Sequence, residues 1–216
     1  RSRTRLQDSK MVDRYIFDVD GTLTPSRGVI DPKFQSLFKN FCSSHVVYLV
    51  TGSDRAKTIE QVGEDILDLC AKVYQCAGND IWIGDTNIST HTINMHPDME
   101  KFFEYWIGAS QFRYRTGRHV EIRPGLINFS TIGRGSTKEQ RAEYVKYDSN
   151  IGERHMIAHL FNEAFTKYNM IATVAGETGI DITEIGQDKS QIIHDFSLYD
   201  KLHFFGDRME PGGNDY

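Results

Sequence analysis

The stretch Tyr15-Ile-Phe-Asp-Val-Asp-Gly-Thr-Leu-Thr24 constrains this chain more than any other. Tyr15 to Val19 reads as a short apolar strand that stops abruptly in polar residues and Gly21. A side-chain period of two puts Asp18 and Asp20 on the same side of the chain as it leaves the strand. Two carboxylates held that close are costly unless a cation sits between them or one is protonated. Gly21 permits a sharp turn, and Thr22 and Thr24 offer hydroxyls at the strand end. In an open α/β sheet that end is where ligands bind. The chemistry suggested is a hard, oxygen-ligated cation such as Mg²⁺ beside a carboxylate nucleophile. The bland alternative is a solvated, Asp-rich strand–turn.

Alternating elements follow. Asp31-Pro32 opens a helix whose apolar face is Phe34, Leu37, Phe38 and Phe41. Val46 to Val50 is a continuous apolar run, typical of a strand buried on both faces. Ala56, Ile59, Val62 and Ile66 predict one further helix, and Val73 to Ala77 the next strand. Strand, helix, strand, helix means a parallel sheet. The pattern then changes. Ile81 to Ile83 and Ile88 to Ile93 flank a hairpin turn at Gly84-Asp-Thr-Asn87, and Pro97 opens a helix with Met99, Phe102, Phe103 and Trp106. Strands at Val120–Arg123, Leu126–Ser130, Met170–Val174 and Ile180–Ile185 enclose helices at Lys138–Tyr147 and Ile151–Tyr168. A helix over Ser190–Phe196 and a strand over Leu202–Phe205 restore the first pattern. The predicted fold is α/β, a parallel-sheet core of residues 11–87 and 187–216 with an inserted α+β layer, antiparallel sheet plus helices, at 88–186. Residues 1–10 are expected to be a tag or disordered arm.

Bulk properties narrow the partners. A net charge of −5 gives no basic field for nucleic acid or anionic lipid. No apolar run approaches the ~20 residues that span a bilayer. Cys42, Cys70 and Cys76 lack metal-finger spacing and cannot all pair, which predicts a reduced, cytoplasmic protein. His155 and His159 are four apart on a helix without the Glu of a zinc protease motif, and read as surface or packing residues.

Further stretches belong beside Asp18 and Asp20 if the sheet is as predicted. Thr51-Gly52-Ser53-Asp54 sits where a strand meets a helix N-terminus, where backbone N–H groups and the Ser53 hydroxyl would hold a phosphate. The alternative is that Ser53 or Asp54 merely caps the helix. Lys189 could neutralise a nucleophile and a transferring phosphoryl group, or be a surface lysine. Gly206-Asp207 and Asn214-Asp215 place two carboxylates on one loop, with Asp207 a metal ligand and Asp215 behind it or sharing the metal.

The opening stretch resembles motif one of the haloacid dehalogenase superfamily of phosphotransferases. Gly52-Ser-Asp54, Lys189, Gly206-Asp-Arg-Met-Glu-Pro-Gly-Gly-Asn-Asp215 and Glu121-Ile-Arg-Pro-Gly-Leu-Ile-Asn-Phe-Ser-Thr-Ile-Gly-Arg134 with Lys138-Glu-Gln-Arg141 narrow the resemblance to eukaryotic-type phosphomannomutases. It covers nearly the whole chain from Met11 onward. What it implies is a haloacid dehalogenase-type core with an inserted cap and a Mg²⁺-dependent mutase acting on hexose phosphates in GDP-mannose biosynthesis. Asp18 would be the nucleophile, Asp20 the general acid and base, and Ser53 and Lys189 the phosphoryl-binding partners. Mg²⁺ would lie among Asp18, Asp207, Asp215 and Asp20, the last through its backbone carbonyl. Arg123, Arg134 and Arg141 would grip the phosphate that is not reacting. Arg27 matches a substrate-contacting arginine, and Asp181 a residue accepting sugar hydroxyls. Gly179 departs from the family, which has Ser there in contact with phosphate, and Thr51 stands where the family has Gly. A hexose 1,6-bisphosphate, of mannose or glucose, is the implied activator, and a homodimer through the caps the implied assembly. A phosphatase of the same superfamily is the alternative. So is a non-catalytic sugar-phosphate-binding protein, should the absence of the strand and helix that the family has after Asn-Asp-Tyr216 disable the core.

Overall fold

The computed structural model describes residues 11–25, 28–211 and 215–216, so Arg27 and residues 1–10 lie outside the described residues. β1 (Val12–Asp18) ends on the first aspartate of the opening motif. Pro32 starts α1 (Pro32–Ser44), and the Asp31 carboxylate accepts from the Lys33 and Phe34 amides to cap it. In β2 (Val47–Val50), Val47, Leu49 and Val50 are fully buried, as a strand covered on both faces requires. The one helix predicted over Ala56–Ile66 is two, α2 (Arg55–Val62) and α3 (Glu64–Leu69). Gly63 between them has φ 88°, a backbone conformation outside the helix that a residue with a Cβ rarely adopts. β3 (Lys72–Gln75) then leads into β4 (Asp80–Ile83) and β5 (Thr86–Thr90). This hairpin extends the first sheet instead of opening the inserted layer. The Asp80 carboxylate closes it, accepting from the Trp82 indole (2.8 Å), Asn87 (2.8 Å) and Thr90 (2.7 Å).

The chain divides into two compact units, residues up to Thr90 with Asp188–Tyr216, and His91–Gln187. The second unit runs α4 (Pro97–Ala109), β6 (Val120–Arg123), β7 (Leu126–Phe129), α5 (Lys138–Ile151), α6 (Glu153–Phe165), β8 (Met170–Ala175) and β9 (Gly179–Glu184). Its strands form an antiparallel sheet in the order β6-β7-β9-β8. Ile127, Phe129, Ala172, Ile180 and Ile182 pack with Met99 and Phe103 of α4 and Ile157 and Phe161 of α6. Burying each such large side chain contributes roughly 1.5–3 kcal/mol. The alternate residues face the other way. Cross-strand register aligns Glu121, Asn128, Asp181 and Thr173 in one row across the sheet. Beneath the loop after β7, Thr131, Tyr144 and the buried Glu153 form a hydrogen-bonded triangle with sides of 2.8–2.9 Å. Burial, together with Glu153, pushes the Tyr144 phenol well above its ordinary range. The two ends of the unit meet: His91 Nε2 lies 3.0 Å from Glu184 Oε2.

The first unit resumes with a 3₁₀ helix (Lys189–Asp195), tighter than the α-helix expected there, capped by Asp188 accepting from the Ser190 amide. β10 (Asp200–Phe205) completes a six-stranded sheet in the order β10-β1-β2-β3-β4-β5. Pairing is parallel from β10 to β3 and antiparallel from β3 to β5. One sheet face buries Val19, Val47, Leu49 and Val73 with Phe38, Val62, Ile66 and Leu67 from the helices. The other buries Ile16, Val50, Tyr74 and Ile192. Both faces being covered, the polar ends of β1 and β10 are the places left for chemistry. Among the described residues no helix is long and apolar enough to cross a membrane.

Candidate active site

Where β1 ends, the chain turns so tightly that the amides of Thr22, Leu23 and Thr24 all point at the Val19 carbonyl. This turn leaves Asp18 2% exposed, with Thr22 Oγ1 donating to its Oδ2 at 3.1 Å. Lys189, itself 8% exposed, donates from Nζ to Asp18 Oδ1 at 2.5 Å and to Asp215 Oδ1 at 2.6 Å. Burial pushes the Asp18 carboxyl above the usual carboxylate range, opposed by Lys189 and reinforced by Asp215. Asp215 is fixed in turn by its own loop, accepting at Oδ2 from the Arg208 amide at 3.2 Å.

Asp18, Asp207 and Asp215 each present a carboxylate oxygen, all within 4.8 Å of one another. Close approach is built into the backbone. A Cβ at Gly21, which has φ 85°, would stand 2.4 Å from Asp207 Oδ2, so only glycine lets that carboxylate reach the turn. Three carboxylates at such spacing, Asp18 and Asp215 buried and Asp207 exposed, carry excess negative charge beside one lysine. An all-oxygen donor set on one open side fits a hard divalent cation of the Mg²⁺ type.

The Asp20 carboxylate is not among the three and is engaged elsewhere. Gln61 Nε2, on a fully buried side chain of α2, donates to Asp20 Oδ1 at 2.8 Å, and Ser53 Oγ donates to Oδ2 at 3.3 Å. Ser53 and Asp54 divide the tasks expected of them. Asp54 caps α2, accepting from the Lys57 amide at 2.8 Å, while Ser53 turns toward Asp20. The structure thus brings Asp18, Lys189, Asp207 and Asp215 into one cluster, and Asp20 with Ser53 into a pair on the same strand end.

The remaining predicted residues lie on the second unit. Arg123 donates twice to Glu121, from Nε and Nη2 at 3.1 Å each, and Arg134 Nε lies 3.3 Å from the same carboxylate. Arg141 pairs separately with Glu177 at 3.0 Å. Its Nε is buried with no hydrogen-bond partner among the described residues. Asp181 accepts at Oδ1 from Asn128 Nδ2 at 2.6 Å. Burial raises its carboxyl above the usual range, against the pull of Asn128, Arg123 and Arg134. Gly179 is buried at the start of β9, and Arg27 lies outside the described residues.

Sequence reading missed Gln61 and Asn128. Gln61 falls off the apolar stripe of its helix and reads as a solvated position. Asn128 is the one polar residue inside Leu126-Ile-Asn-Phe129, which is a usable signal for a polar sheet face.

Comparison with known proteins agrees with this arrangement. Residues 34–216 match the family described as eukaryotic phosphomannomutase. A phosphomannomutase of Dendrobium officinale is 30% identical over 207 residues, covering 93% of this chain and 82% of its own length. Among solved structures, the C-terminal domain of the Candida albicans trehalose synthase regulatory protein superposes with a TM-score of 0.56 at 14% identity. The match covers 85% of this chain and 60% of that one, so the chain spans about three fifths of it. A haloacid dehalogenase-like hydrolase from Bacteroides thetaiotaomicron gives the same TM-score at 10% identity, covering 85% of this chain and 77% of its own. At such identities the likeness establishes the fold. With its parallel-sheet core, inserted α+β cap and clustered aspartates, the chain belongs to the eukaryotic phosphomannomutase family of haloacid dehalogenase-type phosphotransferases.

Proposed function

We propose that this chain interconverts mannose 6-phosphate and mannose 1-phosphate as a Mg²⁺-dependent phosphomannomutase. The observation that carries the reading is Asp18, buried and held by Lys189 in a carboxylate cluster, with Asp20 on separate donors two positions along the same strand end. Two carboxylates in different surroundings suit two roles. Asp18, already phosphorylated by the bisphosphate activator, gives its phosphoryl group to the free hydroxyl of the hexose monophosphate: the new bond from phosphorus to the sugar oxygen forms, the bond to the Asp18 carboxylate breaks, and Asp20 takes the hydroxyl proton. The bisphosphate turns over, Asp18 attacks the other phosphorus, the bond from that phosphorus to its sugar oxygen breaks, and Asp20 returns the proton to that oxygen. Asp18, Asp207 and Asp215 would hold Mg²⁺, which supplies neutralisation of charge on the transferring group. Lys189 does the same from the protein side, and the Ser53 loop at the α2 N-terminus orients the phosphoryl oxygens.

Arg123, Arg134 and Arg141 hold the non-reacting phosphate, and Asp181 accepts from sugar hydroxyls. A hexose 1,6-bisphosphate serves as intermediate and activator. The three cysteines are thiols, which suits the reducing cytoplasm. We further propose a homodimer through the caps, where Tyr105 of α4 is 66% exposed beside Trp106. Sedimentation at micromolar concentration tests that, a monomer rejecting it. The catalytic reading is tested by supplying glucose 1,6-bisphosphate and mannose 1-phosphate with Mg²⁺. Mannose 6-phosphate is the expected product. Stoichiometric free phosphate would make the chain a phosphatase, and no turnover would make it a sugar-phosphate-binding protein.

A further inference from the structure

Asn128 stands at the centre of the polar row on the cap sheet and is 7% exposed. Its Nδ2 donates to Asp181 Oδ1 at 2.6 Å, while its Oδ1 is buried with no hydrogen-bond partner among the described residues. A side-chain amide placed with half its capacity unmet is costly unless the half that is met has a use. Its rotamer depends on Gly179. A Cβ there would lie 2.8 Å from Asn128 Nδ2 and 3.4 Å from Oδ1. The backbone at 179 has little freedom to yield. It lies in β9, between β7 and β8, and Arg154 donates to the Gly176 carbonyl at 2.9 Å and to those of Ala175 and Gly179 at 3.4 Å. Arg154 is itself anchored to the buried Asp148 at 2.7 Å. A side chain at 179 therefore presses on the end of the Asn128 side chain, the same amide nitrogen that donates to Asp181.

We propose that Asn128 is a positioning residue that fixes the Asp181 carboxylate for sugar recognition, and that the glycine at 179 supplies the room it needs. This rests on the reading of Asp181 as the acceptor of sugar hydroxyls. Holding one carboxylate oxygen orients the other, so the set of hydroxyls Asp181 can reach is decided by a residue that touches no substrate. A hydroxyl lost at 179 is thus exchanged for an oriented carboxylate, and sugar preference resides in the Asn128–Asp181 pair.

The test uses the full chain with Mg²⁺ and the activator, comparing Asn128→Ala, Asp181→Ala, the double variant and Gly179→Ser with mannose 1-phosphate and glucose 1-phosphate. Asn128→Ala should raise KM about tenfold, the scale of one charge-assisted hydrogen bond, with kcat changed less than threefold and a shifted mannose-to-glucose ratio. The double variant should be no worse than Asp181→Ala, because a positioning residue has nothing left to position. Gly179→Ser should reproduce the Asn128→Ala defect and add little to it in combination. Additive losses in the double variant, or Asn128→Ala within twofold of wild type while Asp181→Ala is impaired, would overturn the proposal. If Asp181→Ala itself leaves KM unchanged, the sugar-binding reading fails, and the proposal with it. The contact is then judged apart from activity: the Asn128 side-chain amide resonance should move in Asp181→Ala, and an unmoved resonance rejects the pair altogether.

Discussion

The carboxylate site of the core and the arginine face of the cap handle charge in opposite ways. In the core, Lys189 is buried and locked between Asp18 and Asp215 at 2.5 and 2.6 Å. In the cap, Arg123, Arg134 and Arg141 have side chains 36–42% exposed and rest on Glu121 and Glu177. Surface pairs of that kind contribute only about 0–1 kcal/mol and are readily exchanged for a better anion. The first arrangement suits a place where bonds form and break, since its charges are set before substrate arrives. The second suits a place that must grip, release and grip again. On the proposed reading, the glutamates hold the guanidinium groups until phosphate replaces them.

The sharpest break in this comparison is Asp18→Asn. An amide is neither nucleophile nor good Mg²⁺ ligand, and phosphoryl transfer should fall by about 10⁴ or more while circular dichroism shows an intact fold. Retention of activity within about tenfold would unseat Asp18. Next comes Lys189→Met, which leaves two buried carboxylates without their cation. Turnover should drop by about 10²–10³, and stability to urea by roughly 3–5 kcal/mol. Added Mg²⁺ should restore much of the stability and chelation should remove it again. No response of the variant to Mg²⁺ would argue against a shared cation site. The same removal in the cap should do far less. Arg134→Ala should weaken hexose phosphate binding about ten- to a hundredfold, leave unfolding almost unchanged, and divert a larger share of turnovers to free phosphate. Unaltered affinity and partitioning would make Arg134 a mere surface charge.

The smallest effect concerns pH. Asp181 has its carboxyl raised, chiefly by burial. A carboxyl raised on folding binds its proton more tightly in the folded chain. It therefore favours the folded state most at acid pH, and that contribution is lost as pH rises through its folded pKa. At neutral pH the charged form is therefore a cost to the folded state. Asp181→Asn should raise the thermal midpoint slightly at pH 7, and the gain should fade as pH falls toward ~4. A midpoint lowered at pH 7 would show that the ionised carboxylate stabilises the cap.

The legible parts of the molecule were those written in short range. Asp18 and Asp20 sit on a strand end that any apolar run followed by Asp-x-Asp-Gly would produce, and Gly206-Asp207 repeats the device on β10. The helix split at Gly63 was less legible, because the apolar stripe from Ala56 to Ile66 continues through the break and conceals it. The β4–β5 hairpin was read by its turn but not by its sheet. That assignment depends on Asp80 gathering Trp82, Asn87 and Thr90, a closure no periodicity reports. Gln61 and Asn128 acquire meaning only from partners 41 and 53 positions away, Asp20 and Asp181.

The meeting of His91 with Glu184 at the two ends of the inserted unit has a consequence for how the chain folds. β1 must find β10 across a separation of 186 residues, measured at the Arg14–Asp200 contact. Closing so long a loop draws on chain entropy, and the draw grows with the logarithm of its length. A cap that folds first and pins its own ends together shortens the effective loop by nearly its whole length. The antiparallel sheet, whose β7–β9 pairing joins Asn128 to Asp181, 53 apart, where β1 and β10 are joined across 186, is the faster of the two to form. Pulsed hydrogen exchange during refolding should therefore find the β7 and β9 amides protected before those of β10. The reverse order would mean that the core closes its longest loop unaided.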